Sequence, residues 1–349
     1  MSTYTAEQRR VGSWEFWPAW AVYAPLVPWW LLYALRYGGP TVFTASNPAI
    51  SHGGVVGESK SAILKLLPKE HVAPFTFIER ANAAHRGTTL MAAAQSWGYP
   101  FILKPDIGER GTGVRLIRSA TAGLTYLREH LEPLIAQRYH AGPFEAGVFY
   151  VRHPSEPRGH IFSLTLKQFP AVIGDGTRTI SQLIDLDQRL SRQRAVFLNR
   201  LGADADRIPR EGERIGLAIA GNHCQGTMFM DGSAFITPAL ERAFDAIAHA
   251  TNGFHFGRFD VRYSDPAAFA EGRGFEIIEL NGVLSEATHI YDPSISFWQG
   301  QRVLRKQWKM AFAIGSTLRR EGARASTLRE LWQSIQMHSR RPMRMARSD

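Results

Sequence analysis

Two short stretches near the C-terminal end carry the residue types that could hold a divalent metal: Gly257-Arg258-Phe259-Asp260 and Phe275-Glu276-Ile277-Ile278-Glu279-Leu280-Asn281. In a strand, residues two apart face the same side, so Glu279 and Asn281 can point together while Asp260 approaches from a neighbouring strand. Three hard oxygen donors then converge. Such a set suits Mg²⁺, which keeps several waters and takes the rest of its shell from carboxylates and substrate phosphates. The implied ligand is a nucleotide. The same alternation also produces the polar face of an ordinary half-buried strand, so the assignment depends on what else the chain carries.

A second stretch, Ile102-Leu103-Lys104-Pro105-Asp106-Ile107-Gly108-Glu109-Arg110-Gly111-Thr112-Gly113-Val114, sets a strand-borne lysine before a glycine-rich turn and another strand. Gly108, Gly111 and Gly113 would let backbone N–H groups come close to phosphate oxygens, and Lys104 would add a mobile positive charge. It is not a Walker A loop, whose lysine follows the glycines and opens a helix. A plain hairpin with a surface lysine is the alternative.

These residues need strands and helices to position them. Residues 101–104, 114–117, 148–151 and 160–168 have β-like composition, with further short strands expected at 41–45 and 76–78. Helical spacing is expected over 58–67, 88–97, 120–130, 180–190 and 238–252. The chain therefore reads as mixed α+β. At 349 residues, 44% of them hydrophobic, it is long enough for about two domains with a sizeable core. Its formal charge of +10 and pI near 9.9 suit phosphate-bearing ligands, anionic membranes or nucleic acid without choosing among them. The single Cys224 excludes an intrachain disulfide framework and any multi-cysteine metal site, and a reducing compartment follows as the simpler expectation.

Both ends are unusual. Residues 16–35 contain no charge and carry Trp17, Trp20, Trp29 and Trp30. Pro18, Pro25 and Pro28 argue against a simple membrane span, and the aromatic content resembles an interfacial belt. A helical hairpin packed on the body of the protein, one resting on a membrane surface and a true span all remain open. The tail from Ser316 onward is basic, with Arg340, Arg341, Arg344 and Arg347, and reads as a solvated surface. No aromatic interleaving or recognisable module accompanies that charge, which disfavours a nucleic-acid partner.

Further pieces lie between these motifs. Gln137-Arg138-Tyr139-His140-Ala141-Gly142-Pro143-Phe144-Glu145 links two strand-like segments, Lys167 ends a strand, and Gly174-Asp175-Gly176-Thr177-Arg178-Thr179-Ile180 opens a helix. Together with Gly221-Asn222-His223-Cys224-Gln225-Gly226-Thr227, their spacing resembles the ATP-grasp superfamily over roughly residues 57–293. The resemblance is to its ADP-forming carboxylate–amine ligases, the branch of D-alanine:D-alanine ligase, cyanophycin synthetase and glutamate ligases. It implies two α+β subdomains that clamp ATP, with Mg²⁺ or Mn²⁺. Lys104 then resembles the second phosphate lysine and its glycine loop the lid. Lys60 is similar to the first lysine, with Lys65 as its rival. Gln137 and Tyr139 stand in the adenine hinge, Glu145 in the place of the ribose acceptor, and Lys167 where another phosphate-binding cation is found. Asn222 resembles a phosphate- or substrate-contacting asparagine. Arg258 is similar to the arginine that stabilises the transition state, and Asp260, Glu279 and Asn281 to the metal ligands. His289 keeps the spacing of the substrate loop and is a candidate base, while Leu284-Ser285 depart from that loop's common Pro-Gly pair.

The resemblance divides the chain into an aromatic helical region at 1–56, an ATP-grasp domain at 57–315 with a lid at about 98–143, and a basic tail at 316–349. The usual N-terminal α/β domain is replaced by the aromatic segment. The implied activity joins a small-molecule carboxylate to an amine through an acyl phosphate, releasing ADP and phosphate. A small-molecule kinase, or a membrane-associated nucleotide-binding protein without a reaction, would use the same nucleotide site. The expected setting is cytoplasmic, with peripheral contact at the inner membrane face.

Overall fold

The computed structural model describes residues 14–108, 111–218, 221 and 226–339. Strands β1 (Phe75–Ile78), β2 (Phe101–Pro105), β3 (Arg115–Ile117) and β4 (Leu134–Arg138) form an antiparallel sheet in the order β1-β4-β2-β3. Strands β5 (Phe144–Val151), β6 (His160–Gln168), β7 (Ala171–Ile173), β8 (Arg214–Gly216), β9 (Met228–Asp231), β10 (Phe256–Tyr263) and β11 (Phe275–Asn281) follow. Five of them make a second antiparallel sheet, β11-β10-β5-β6-β9, and β7 pairs with β8. The helices are α1 (Ala19–Tyr23), α2 (Val27–Tyr37), α3 (Lys60–Leu64), α4 (Ala83–Trp97), α5 (Ala120–Glu129), α6 (Ile180–Leu186), α7 (Arg194–Leu201), α8 (Pro238–Ala250), α9 (Pro266–Ala270), α10 (Phe297–Arg320) and α11 (Leu328–Ser339). The α+β expectation stands.

Period-two alternation on the central strand separates core from chemistry. On β10, Phe259, Val261 and Tyr263 enter the main apolar core, whereas Arg258, Asp260 and Arg262 face the other way. Opposite that core, α8 starts at its Thr237 cap with Pro238 in the first turn and buries Leu240, Phe244, Ile247 and Ala248 on one stripe. Phe244 is fully enclosed, and its truncation to Ala would cost about 3–5 kcal/mol. The smaller sheet has its own core, in which Leu90 of α4 and Tyr126 of α5 lie over Phe101, Leu103 and Ile117.

Several elements depart from the sequence reading. Residues 41–45 are not a strand: Val42–Ser46 is a 3₁₀ turn, closed by Thr44 N–H on the Thr41 carbonyl at 2.9 Å. It lies so close to α10 that a Cβ on Gly315 would meet the Val42 carbonyl oxygen at 2.2 Å, and the chain coils there instead of extending. The four-stranded sheet takes in β1, so it begins at Phe75, upstream of residue 98. The tail is not simply a solvated run, since α10 continues to Arg320 and α11 follows; Arg340, Arg341, Arg344 and Arg347 lie outside the described residues.

The aromatic N-terminal segment breaks into α1, a 3₁₀ turn and α2 at its prolines. Its inner face packs on α10: Trp14 sits over Gly300, Tyr33 against Phe312, and Val22 and Leu26 beside Leu304. Its outer face leaves Trp20 74% and Leu35 84% exposed. No described helix is long and apolar enough to cross a membrane.

Candidate active site

One cavity of ≈ 570 Å³ lies between the two large sheets and collects most of the residues singled out in the sequence. Sheet register explains the convergence. Across three adjacent strands Lys167, Glu145 and Arg262 are direct partners, and Asp260 pairs with Gly147 on one side and Glu279 on the other. A bulge between Asp260 and Val261 places Ile278 as the extra residue of β11. It shifts the alternation by one, turning Glu279 and Asn281 out of the core and into the cavity.

The bulge also joins the two sheets. Lys104, from β2, donates to the Ile278 carbonyl at 3.0 Å and to Gln137 Oε1 at 2.8 Å. Burial is the main cause that lowers its pKa to about 8, with Lys60 pushing the same way and Glu279 and Asp260 opposing. Lys60, first residue of α3, lies 3.4 Å from Glu279 and donates to the Gly108 carbonyl. Lys65 is not on the cavity wall; its ammonium lies over the Phe77 ring at 5.7 Å.

On the larger sheet Lys167 donates to Glu145 at 2.7 Å and lies 3.3 Å from Asp260. Burial works to lower its pKa, but Asp260 and Glu145 outweigh burial and raise it. Arg258 holds Asp260 side by side at 2.8 and 3.2 Å. Burial would raise the Asp260 pKa, yet Arg258 and Lys167 together bring it below the usual carboxylate range. Gly147 makes room for this pair, because a Cβ there would lie 2.9 Å from Arg258 Cδ and 3.3 Å from Asp260 Oδ1.

The polar groups of the stretch from Gln137 to Glu145 are already engaged. Gln137 does not present a free amide, since its oxygen receives Lys104 and its nitrogen donates to the Ala73 carbonyl at 3.3 Å. It therefore orients Lys104. Glu145 is likewise occupied, by Lys167 on one oxygen and Arg262 on the other at 3.1 Å. Arg262 lies over the Tyr139 ring at 5.2 Å, which stations Tyr139 on the wall. Of the loop glycines, Gly108 and Gly111 line the cavity, Gly113 does not, and its carbonyl accepts from Tyr126. Glu109, Arg110, Asn222, His223 and Cys224 lie outside the described residues.

His289 is not on the cavity wall. It faces Asp231 and Asp292, burial lowers its pKa, and its Nδ1 is enclosed without a hydrogen-bond partner. The Gly174–Ile180 motif is also remote from the cavity: Asp175 accepts from the backbone N–H groups of Arg178 and Thr177 at 2.8 and 2.9 Å, and Thr179 caps α6. Those turn bonds hold the Asp175 carboxyl well below its usual range.

Asp260, Glu279 and Asn281 share one wall. Among the described residues no three His, Cys, Asp or Glu side chains could hold a metal by themselves. Two carboxylates and an amide do not make a closed cage, but they fit an ion that completes its shell with phosphate oxygens and water.

Sequence reasoning missed Arg262, Glu286, Tyr23 and Tyr291, all on the cavity wall. Arg262 was within reach, because Arg258, Asp260 and Arg262 alternate on one strand. Tyr23 had no such signal, since its place depends on how the N-terminal segment folds back.

No family model matches the chain, and no curated protein does. Among solved structures, it is similar to a D-alanine–D-alanine ligase from Bacillus anthracis, at 12% identity and a TM-score of 0.39 over 75% of this chain and 68% of that one. It is similar to the VanG D-Ala:D-Ser ligase from Enterococcus faecalis, at 15% identity and a TM-score of 0.40 over 72% of this chain and 61% of that one. It is also similar to a bifunctional glutathione synthetase from Pasteurella multocida, at 15% identity and a TM-score of 0.38 over 71% of this chain. The chain spans 36% of that synthetase.

Proposed function

We propose that the chain is an ATP-dependent, ADP-forming ligase of ATP-grasp type that joins a small-molecule carboxylate to an amine through an acyl phosphate. One observation carries the reading: Lys60, Lys104, Lys167 and Arg258 meet Asp260, Glu279 and Asn281 in a single cavity between two sheets. Four cations beside hard oxygen donors are what a transferring phosphoryl group requires, because catalysis of such transfers is mostly positioning and charge neutralisation.

A carboxylate is a poor electrophile, so it must be activated first. Its oxygen attacks the γ-phosphorus, the bond from that phosphorus to the bridging oxygen breaks, and ADP leaves. Lys104 and Lys60 approach from the smaller sheet and α3, Lys167 and Arg258 from the larger sheet, so the negative charge is met from both sides. The amine nitrogen then attacks the acyl carbon, the carbon–oxygen bond to phosphate breaks, and the nitrogen gives up a proton. Mg²⁺, held by Asp260, Glu279 and Asn281, would add Lewis-acid neutralisation of phosphate charge when bound. Gly108 and Gly111, on the cavity wall, would let backbone groups approach the phosphates and help keep water from the acyl phosphate. The hinge around Tyr139 takes the adenine.

The outer face of α1 and α2 rests on an anionic membrane at its cytoplasmic surface. Trp20, Leu31, Leu32 and Leu35 are exposed there, Arg305 lies over Trp29, and Arg319 donates to the Gly38 carbonyl at the end of α2. Apolar burial and basic charge add in binding such a surface.

The test follows oxygen. With acids labelled in the carboxylate with ¹⁸O, a ligase transfers one label to inorganic phosphate for each amide formed. Label retained in a stable phosphorylated product instead would make the protein a kinase.

A further inference from the structure

The cavity continues past Arg258 to the N-terminal segment, where Trp17, Tyr23, Tyr291 and Glu286 line it. Glu286 is held in place on both sides. One carboxylate oxygen accepts from Tyr23 and the other from Tyr291, the latter at 3.0 Å, while its backbone carbonyl accepts from Arg258 at 3.1 Å. It therefore sits next to the arginine assigned to the reacting phosphoryl group.

Its charge is handled differently from that of its neighbours. Glu145 is paired with Lys167 and Arg262, Asp260 with Arg258, Glu279 with Lys60, and Glu15 with Arg189 at 2.6 Å. Among the described residues no lysine, arginine or histidine lies within ion-pair distance of the Glu286 carboxylate. Neutral phenols brace it, and Trp17 adds a further aromatic wall. A carboxylate with aromatic neighbours is matched by a cation, which gains from both the charge and the ring faces.

We infer that Glu286, Tyr23 and Tyr291 form a recognition subsite for a substrate ammonium group. This rests on the ligase reading and deepens it, since it names the charge on a substrate. The aromatic segment then serves as a wall of the substrate site through Trp17 and Tyr23. The ammonium belongs either to the acid, which would make that substrate an amino acid, or to the attacking amine before it loses its proton.

The test uses the full chain and begins with ADP binding, followed by titration of the ADP complex with n-butylamine and with its neutral isostere n-butanol. Wild type should prefer the amine by about tenfold or more, the usual worth of a charged hydrogen bond. Glu286→Gln should remove that preference with ADP affinity unchanged, and Tyr23→Phe should weaken it. No preference in wild type, or one that survives in Glu286→Gln, would overturn the subsite. Failure of wild type to bind ADP would instead overturn the ligase reading beneath it. Turnover separates the two sources: if the ammonium is on the acid, Glu286→Gln loses hydroxamate formation with amino acids but not with hydroxy acids. If it is on the amine, hydroxamate persists and only amide formation is lost.

Discussion

Arg258 and Asp260, two residues apart on one strand, clasp each other side by side, with Lys167 reaching the same carboxylate from a second strand at 3.3 Å. The carboxylate proposed to meet a metal is thus already neutralised by two cations. Asp260→Asn would leave Arg258 without its carboxylate and Lys167 with Glu145 alone, and removing one member of a buried ion pair costs about 3–5 kcal/mol. The urea midpoint should fall accordingly. An unchanged midpoint would show that the pair contributes nothing to the fold.

Gly147 should be intolerant for a local reason. An added Cβ would press on Arg258 Cδ at 2.9 Å, displacing the guanidinium rather than the core. Gly147→Ala should lower turnover by about a hundredfold, the scale of a misplaced catalytic group, while thermal unfolding moves by only a few degrees. Wild-type turnover in this variant would mean that Arg258 is not needed where it stands.

Lys104 sets a pH dependence. Its pKa is lowered to about 8, first by burial, so it is cationic below that pH and neutral above it. A neutral lysine no longer attracts phosphate. ADP affinity should therefore fall above pH 8, by up to about tenfold per pH unit for one linked proton. In Lys104→Met the affinity should be lower and flat across this range, as titration calorimetry can follow; an equally steep profile in that variant would place the proton elsewhere.

How much of this was readable beforehand follows from range. The alternation of Arg258, Asp260 and Arg262, and of Glu279 and Asn281, is local, and it announced one polar face. The α+β class followed from similar periodicities. What the chain does at a distance was not readable. Nothing in the neighbourhood of Gln137 says that its amide is taken by Lys104, 33 residues earlier. Nor does Glu286 reveal that Tyr23, 263 residues away, will brace it. The strand expected at 41–45 is a 3₁₀ turn packed against Gly315 of a distant helix, a contact that no local pattern reveals.

The outer face of the N-terminal segment gives a prediction independent of chemistry. Trp20→Ser with Leu35→Ser should weaken sedimentation with phosphatidylserine-containing vesicles by about tenfold or more, since each removes a large exposed apolar group. ADP affinity should not change. Equal sedimentation of the double variant would remove the membrane from the proposal.

The most direct test is turnover of Mg²⁺-ATP in a pool of amino and hydroxy acids with hydroxylamine present, following ADP and hydroxamate together. The expected result is hydroxamate that requires the protein, ATP and one member of the pool, and that is lost in Glu279→Gln while the urea midpoint of that variant stays near wild type. ADP release with a stable phosphorylated product and no hydroxamate would contradict acyl-phosphate chemistry.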